Sequence, residues 1–109
     1  MNELPDVVGQ YQDAHDRGDV EAALASFAPN ASVKDDGQEY HGRDEIRDWL
    51  ARASTQFTYT RTHTGADALD ANTWLVTNHL AGNFPGGVVA MRYRFVLTDD
   101  HISELEIAP

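Results

Sequence analysis

The stretch "NASVKDDGQEYHGRDEI", residues 30–46, changes character three times within a few turns of chain. Ala31-Ser32-Val33-Lys34-Asp35 alternates as a strand, with Ala31, Val33 and Asp35 on one face and Ser32 and Lys34 on the other. Asp36 then begins a turn, and a glycine-bearing loop follows. A helix starts near Gly42 or Arg43, with Asp44 and Glu45 in its first turn, where carboxylates suit the positive end of the helix dipole. Two adjacent acids thus close a short strand. Either both are solvated turn residues, or Asp35 keeps the parity of Val33 and faces the interior while Asp36 does not. Most of the functional reading hangs on that choice.

Upstream, Leu4, Val7, Val8, Tyr11 and Ala14 recur at three- and four-residue steps, which predicts a helix from Leu4 to about His15. Arg17-Gly18 ends it, and Asp19 reads as the N-cap of a second helix with the stripe Val20, Ala23, Leu24, Phe27. Pro29-Asn30 breaks that helix. Downstream of Gly42, Ile46, Trp49, Leu50 and Ala53 form the buried stripe of a third helix.

After Ser54 the period changes to two. Phe57, Tyr59, Arg61 and His63 alternate with threonines, Asp70-Ala71-Asn72 is a turn, and Thr73 to about Gly82 is a second long strand. Pro85-Gly86-Gly87 marks a hairpin. Val88 to Leu97 puts Val89, Met91, Tyr93, Phe95 and Leu97 on one face, and Thr98-Asp99-Asp100 turns into a last strand, His101 to Ile107. Helices followed by a run of strands predict an α+β layer arrangement, a bent sheet with a concave face for the core and a convex face left for a partner.

The 109 residues fit one domain, residues 1–109. A net charge of −10 opposes nucleic acid and anionic membrane as partners. The absence of cysteine excludes disulfides and thiol chemistry. The N-terminus reads as neither signal peptide nor membrane span, so a cytoplasmic protein is expected. Asn30-Ala31-Ser32 fits a glycosylation sequon and, without an export signal, is read as coincidence.

Three segments carry a family resemblance. They are Tyr11…Gly18-Asp19-Val20-Glu21-Ala22, then Phe27-Ala28-Pro29-Asn30-Ala31-Ser32-Val33-Lys34-Asp35, then Tyr40-His41-Gly42-Arg43-Asp44-Glu45-Ile46. With the long strands after them, they resemble the nuclear transport factor 2-like superfamily, most closely its ketosteroid isomerase and SnoaL-like polyketide cyclase branch. The resemblance covers nearly the whole chain. It implies a cone-shaped barrel, a strongly bent and mainly antiparallel sheet wrapped around three N-terminal helices.

It also implies that Asp35 falls on the isomerase branch's catalytic aspartate and Tyr11 on its catalytic tyrosine. Tyr93 falls where that branch has a late-strand aspartic acid, and the family's extra C-terminal stretch has no counterpart before Pro109. Both departures count against steroid isomerisation itself.

The chemistry fits those residue types. A carboxylate withdrawn from water gains basicity and can take a proton from carbon beside a carbonyl. Phenol hydroxyls can meet the developing enolate oxygen, a division of labour for which ketosteroid isomerase is the standard illustration. Tyr11 reads equally as a core tyrosine, and for Tyr93 the core reading comes first. His15, one turn beyond Tyr11, is a further candidate as a proton carrier. Trp49, Phe57, Met91 and Phe95 are candidate lining residues for a flat apolar or aromatic ligand.

Arg61, Arg92 and Arg94 read as solvent or interface residues pairing surplus acids. In His41-Gly42-Arg43 the glycine permits a turn and the arginine is expected to anchor a carboxylate. His15, His41, His63, His79 and His101 show no metal-ligand spacing, although His63 and His79 could meet across neighbouring strands. No phosphate loop or dinucleotide fingerprint occurs.

The expected function is therefore a cofactor-independent isomerase, cyclase or dehydratase, a homodimer through the outer sheet face. The alternative is a non-catalytic hydrophobic-ligand-binding or dimerisation domain of the same fold.

Overall fold

In a computed structural model, which describes residues 5–35, 37–56, 59–83 and 86–109, the chain forms three helices and six strands. Helix α1, Asp6–Asp16, enters at Pro5 and buries Val8, Tyr11, Gln12 and Ala14. Gly18, at φ +70°, carries the chain into α2, Val20–Ala25. Its N-cap is Asp19, whose Oδ1 accepts the Ala22 N–H at 3.1 Å.

The short α2 stops before Phe27. Strand β1, Phe27–Asp35, already begins there, which corrects the placement of Phe27 on the helical stripe and of Pro29-Asn30 as the break. The spacing of Phe27 suits either element, and long-range pairing decides. Phe27 lies opposite Ile102, its carbonyl accepts from Arg43 Nη2 at 2.9 Å, and its side chain is fully buried. Pro29 then sits inside a register shift between Phe27 and Ser32, where the ladder asks for no N–H. Arg43 thus anchors a backbone carbonyl, not the carboxylate expected.

Strand β2, Gln38–His41, pairs antiparallel with β1 and was not foreseen, having been read as loop. Its four residues are too few for an alternation signal, and its ladder to β1 comes from the turn through Gly37.

Helix α3, Gly42–Gln56, leads to β3, Tyr59–Ala68; then come β4, Thr73–Gly82, β5, Val88–Thr98, and β6, His101–Ala108. The sheet order is β2-β1-β6-β5-β4-β3, antiparallel throughout except for β1 beside β6. The sheet is a bent, open cone with β2 and β3 as its edges. Asp99 and Asp100 both take left-handed φ, 51° and 63°, the geometry that a tight hairpin between twisted strands requires.

The concave face meets the helices. Val33 of β1, Phe95 of β5, Leu105 of β6 and Val76 of β4 are each at most 1% exposed, and pack with Val8, Ile46 and Leu50. The parity read for β5 holds: Tyr93 and Phe95 are buried while Arg92 and Arg94 are exposed. No helix among the described residues is long and apolar enough to cross a membrane.

Gly42 links β2 to α3 at φ +81°, with open space where a Cβ would stand. Gly42→Ala is therefore expected to cost about 1–2 kcal/mol through backbone strain alone. Urea titration of the two proteins measures it, and an unchanged midpoint would contradict the strain.

Candidate active site

The alternation of β1 carries Ala31 and Val33 into the core and leaves Asp35, half-buried, pointing the same way. There it meets α3. The stripe Ile46, Trp49, Leu50 faces the sheet, and Trp49 Nε1 donates a hydrogen bond to Asp35 Oδ2 at 3.0 Å. The indole is itself tied down, with the Tyr40 ring of β2 6.1 Å away on one side and the His15 ring 6.5 Å away on another. One carboxylate oxygen is held by a rigid donor, so the group has a fixed aim.

Tyr11 is 2% exposed, packed edge-on against Phe27 at 5.3 Å and Phe95 at 5.9 Å. Burial pushes its hydroxyl well above the usual 10, with Tyr93, Tyr59, Asp35 and Asp16 adding to the rise. Tyr93, stacked on Phe95 at 6.4 Å, is raised by the same cause, burial, then by Tyr59 and Asp35. Both phenols therefore stay protonated, as hydrogen-bond donors, through the neutral range. Among the described residues neither hydroxyl forms a hydrogen bond, which leaves both donors open.

His15 packs 5.9 Å from the Tyr11 ring, and its Nδ1 lies 3.4 Å from the Tyr59 hydroxyl. Of the residues singled out from sequence, Asp35, Tyr11, Tyr93, His15 and Trp49 gather in one interior cluster. Phe95 is entirely core, Met91 is half-buried against that core, and Phe57 lies outside the described residues.

Four participants were missed. Arg61, read as a solvent or interface residue, turns inward, its side chain 14% exposed. Its Nε lies 3.0 Å from both Asp16 carboxylate oxygens, and its Nη2 lies 2.7 Å from Oδ2. Burial alone would lower the Arg61 pKa, and the hydrogen bonds and charge of Asp16 more than offset this, so the net shift is upward. Nη1 donates to Gln12 Oε1 and to Asn78 Oδ1, each at 3.2 Å. The sequence held a signal for Asn78, an amide in step with Val76 and Leu80. Gln12 and Asp16, four apart on α1, carried another.

The possible meeting of His63 and His79 does not occur. Thr62 is the partner of His79 across the β3–β4 ladder, so consecutive His63 faces the other way. Among the described residues no three His, Asp or Glu side chains gather as a metal-ligand set. Two grooves lined by described residues, about 430 and 240 Å³, lie elsewhere, one between α1, α2 and the β5–β6 turn and one on the outer sheet face.

Comparison with known proteins agrees with this architecture. The family model for the SnoaL-like domain matches residues 8–104. A Sinorhizobium meliloti protein provisionally named a polyketide cyclase superposes with a TM-score of 0.90 at 34% identity, over 96% of this chain and 95% of its own. A Catenulispora acidiphila protein with a ketosteroid isomerase-like fold, in complex with trimethylamine, gives 0.85 at 19% identity over 98% and 87%. An epoxide hydrolase/cyclase-like enzyme of pyran ring formation in the polyether salinomycin gives 0.80 at 20% over 94% and 86%. Among curated proteins nothing matches.

His15 supplies a pH test. Burial, the largest cause, lowers it from its usual 6.5, Arg61 lowers it further, and Asp16 and Asp35 pull it back in part. The folded chain thus holds this proton less tightly than the unfolded one. The contribution is complete above pH 6.5 and is lost as pH falls through the lower folded value. Urea unfolding between pH 7.5 and 5 should show the native protein losing stability more steeply than His15→Gln; parallel losses would contradict the buried, neutral imidazole.

Proposed function

Since the chain belongs to the SnoaL-like domain family, we propose that it is a cofactor-independent small-molecule isomerase, cyclase or dehydratase working by proton abstraction next to a carbonyl. The observation that carries this reading is Asp35, turned inward and aimed by Trp49 into a cluster of buried phenols. Support at the level of fold comes from the cyclase-named neighbours.

In this scheme Asp35 takes a proton from carbon, and the C–H electron pair becomes the new C–C π bond. The carbonyl oxygen becomes an enolate, met by the Tyr11 hydroxyl, with Tyr93 as the second donor. Return of the proton to another carbon gives an isomerase. Attack of the enolate carbon on an electrophile gives a cyclase, and expulsion of hydroxide a dehydratase. The surroundings favour a flat apolar or aromatic ligand, with Trp49 and Met91 against one side.

A second reading has an observation of its own. Phe95 is 0% and Trp49 4% exposed, so two residues expected to line a pocket are packed as core. That favours a non-catalytic hydrophobic-ligand-binding or dimerisation domain.

The partner we propose is a second copy through the outer sheet face. There the Lys34–Glu106 pair, 3.9 Å apart, lies among Arg94, Glu104 and Glu39, a mixed-charge surface able to complement itself. Light scattering is expected to give a dimer, and a monomer at high protein concentration would remove this interface.

Exchange of α-hydrogens for deuterium in a panel of aryl ketones, followed by NMR in D₂O, separates the two functional readings without knowledge of the product. The enzyme reading expects catalysed exchange, reduced roughly 10²–10⁴-fold by Asp35→Asn. Tyr11→Phe should slow turnover by more than it weakens ketone binding. Exchange that survives Asp35→Asn would refute the base assignment.

A further inference from the structure

Tyr59 and Arg61 stand on one face of β3, and His15 and Asp16 are consecutive on α1. The ion pair between Arg61 Nη2 and Asp16 Oδ2, 2.7 Å long, therefore holds the start of β3 against the end of α1. It brings Tyr59 to His15, with the phenol oxygen 3.4 Å from Nδ1. Such a bond is long, and proton-transferring contacts commonly tighten only when substrate is bound. The scheme drawn for Asp35 leaves both side chains without a task.

Which way the hydrogen runs follows from the two groups. Imidazole nitrogen is the better acceptor and phenol the better donor, so Tyr59 O–H donates to Nδ1 and the ring proton sits on Nε2. Among the described residues Nε2 forms no hydrogen bond. Burial, the largest cause, lowers His15 from its usual 6.5, so the ring is neutral at neutral pH. It has no charge of its own to give up, but it can pass a proton on. When Nε2 loses its proton, Nδ1 takes the one on Tyr59. The acid consumed is then a phenol, ordinarily at about 10 against roughly 16 for water. Burial raises Tyr59 from that value, and raises the proton affinity of any oxyanion formed beside it for the same reason.

The pair shares a neighbour with the base. The His15 ring lies 6.5 Å from the Trp49 ring, whose Nε1 donates to Asp35 Oδ2 at 3.0 Å. One indole thus lies in contact with both the carboxylate and the imidazole. Asp35, His15 and Tyr59 each keep part of their surface accessible, so none is closed off from a ligand. An isomerase has no use for a second proton donor here, because the base returns the proton it took. In a cyclase the new alkoxide is basic enough to take its proton from water. Expulsion of hydroxide is different, since it stalls unless the leaving oxygen is protonated. We propose that Tyr59 and His15 form a proton relay to a leaving hydroxyl, and that the substrate is a β-hydroxy ketone. This rests on Asp35 as base and deepens that reading.

Asp35 takes the hydrogen from the α-carbon, the C–H pair becomes the C=C π bond, and the pair of the β-carbon–oxygen bond leaves with oxygen. That oxygen takes the Nε2 proton, Nδ1 takes the Tyr59 proton, and water departs from an enone. Protonated Asp35 and the Tyr59 phenolate then return to their starting states through solvent, with no net change in the protein.

In D₂O, 4-hydroxy-4-phenylbutan-2-one reports both halves by NMR. Deuterium entering beside the carbonyl needs the base alone, and formation of benzylideneacetone needs the relay as well. The native protein should do both. His15→Gln and Tyr59→Phe should each lower the ratio of enone to deuterium uptake roughly 10²-fold, so either one suffices if the other fails to fold. Asp35→Asn should lower enone and exchange together. The acetate ester of the same alcohol, whose leaving group needs no proton, should recover most of the loss in both variants, which a merely structural role of the pair would not allow.

An unaltered ratio in both variants, equal losses with hydroxide and acetate, or exchange by the native protein without enone would each overturn the relay and leave the base standing. A native protein that catalyses neither process overturns the base and the relay together.

Discussion

The hydrogen bond from Trp49 to Asp35 joins the two pieces of chain on which everything else is arranged. At one end is a strand whose alternation forces its last carboxylate inward. At the other is a helix whose apolar stripe must face the sheet, and whose indole has a polar N–H that cannot be buried idle. Neither group suits the interior alone. An indole N–H without an acceptor and a carboxylate without a donor would each disfavour folding, and a shared bond removes both costs. The strand end and the middle of α3 are thereby held in one geometry, and with them the direction in which the free carboxylate oxygen points.

Helix α1 then serves both ends of the interior. Tyr11 and His15, one turn apart, stand toward Asp35, while Gln12 and Asp16, also one turn apart, stand toward Arg61 and Asn78. The two pairs are offset by one residue, so a single rigid helix sets the spacing between a phenol donor and an amide donor.

The sequence disclosed the elements whose signal is local. The strand at Thr73–Gly82, the hairpin marked by Gly86-Gly87 and the inward parity of Val33 and Asp35 are all period-two features or turn chemistry, and they stand as read. What escaped depends on partners far along the chain. Phe27 belongs to a strand because Ile102 pairs with it and Arg43 holds its carbonyl. Strand β2 exists because β1 offers it a ladder. Arg61 alternates correctly with its threonines, yet an arginine at an inward position looks like a surface residue until Asp16, 45 residues earlier, is seen beside it. A local pattern tells which way a side chain points. It does not tell whether water is there.

That last distinction bears on what the polar interior is for. Replacing a buried ion pair and its amide companions by well-packed apolar residues is commonly neutral or stabilising, by about 1–4 kcal/mol. A chain that needed only to fold could therefore fill this end of the cone with leucine and valine, as it does around Ile102 and Leu105. Instead it places Arg61, Asp16, Gln12 and Asn78 there, and among the described residues two amide donors lack acceptors. What the polar set supplies that apolar packing would not is direction: Arg61 of β3 ties Asp16 and Gln12 of α1 to Asn78 of β4 and so fixes how the helix lies on the sheet.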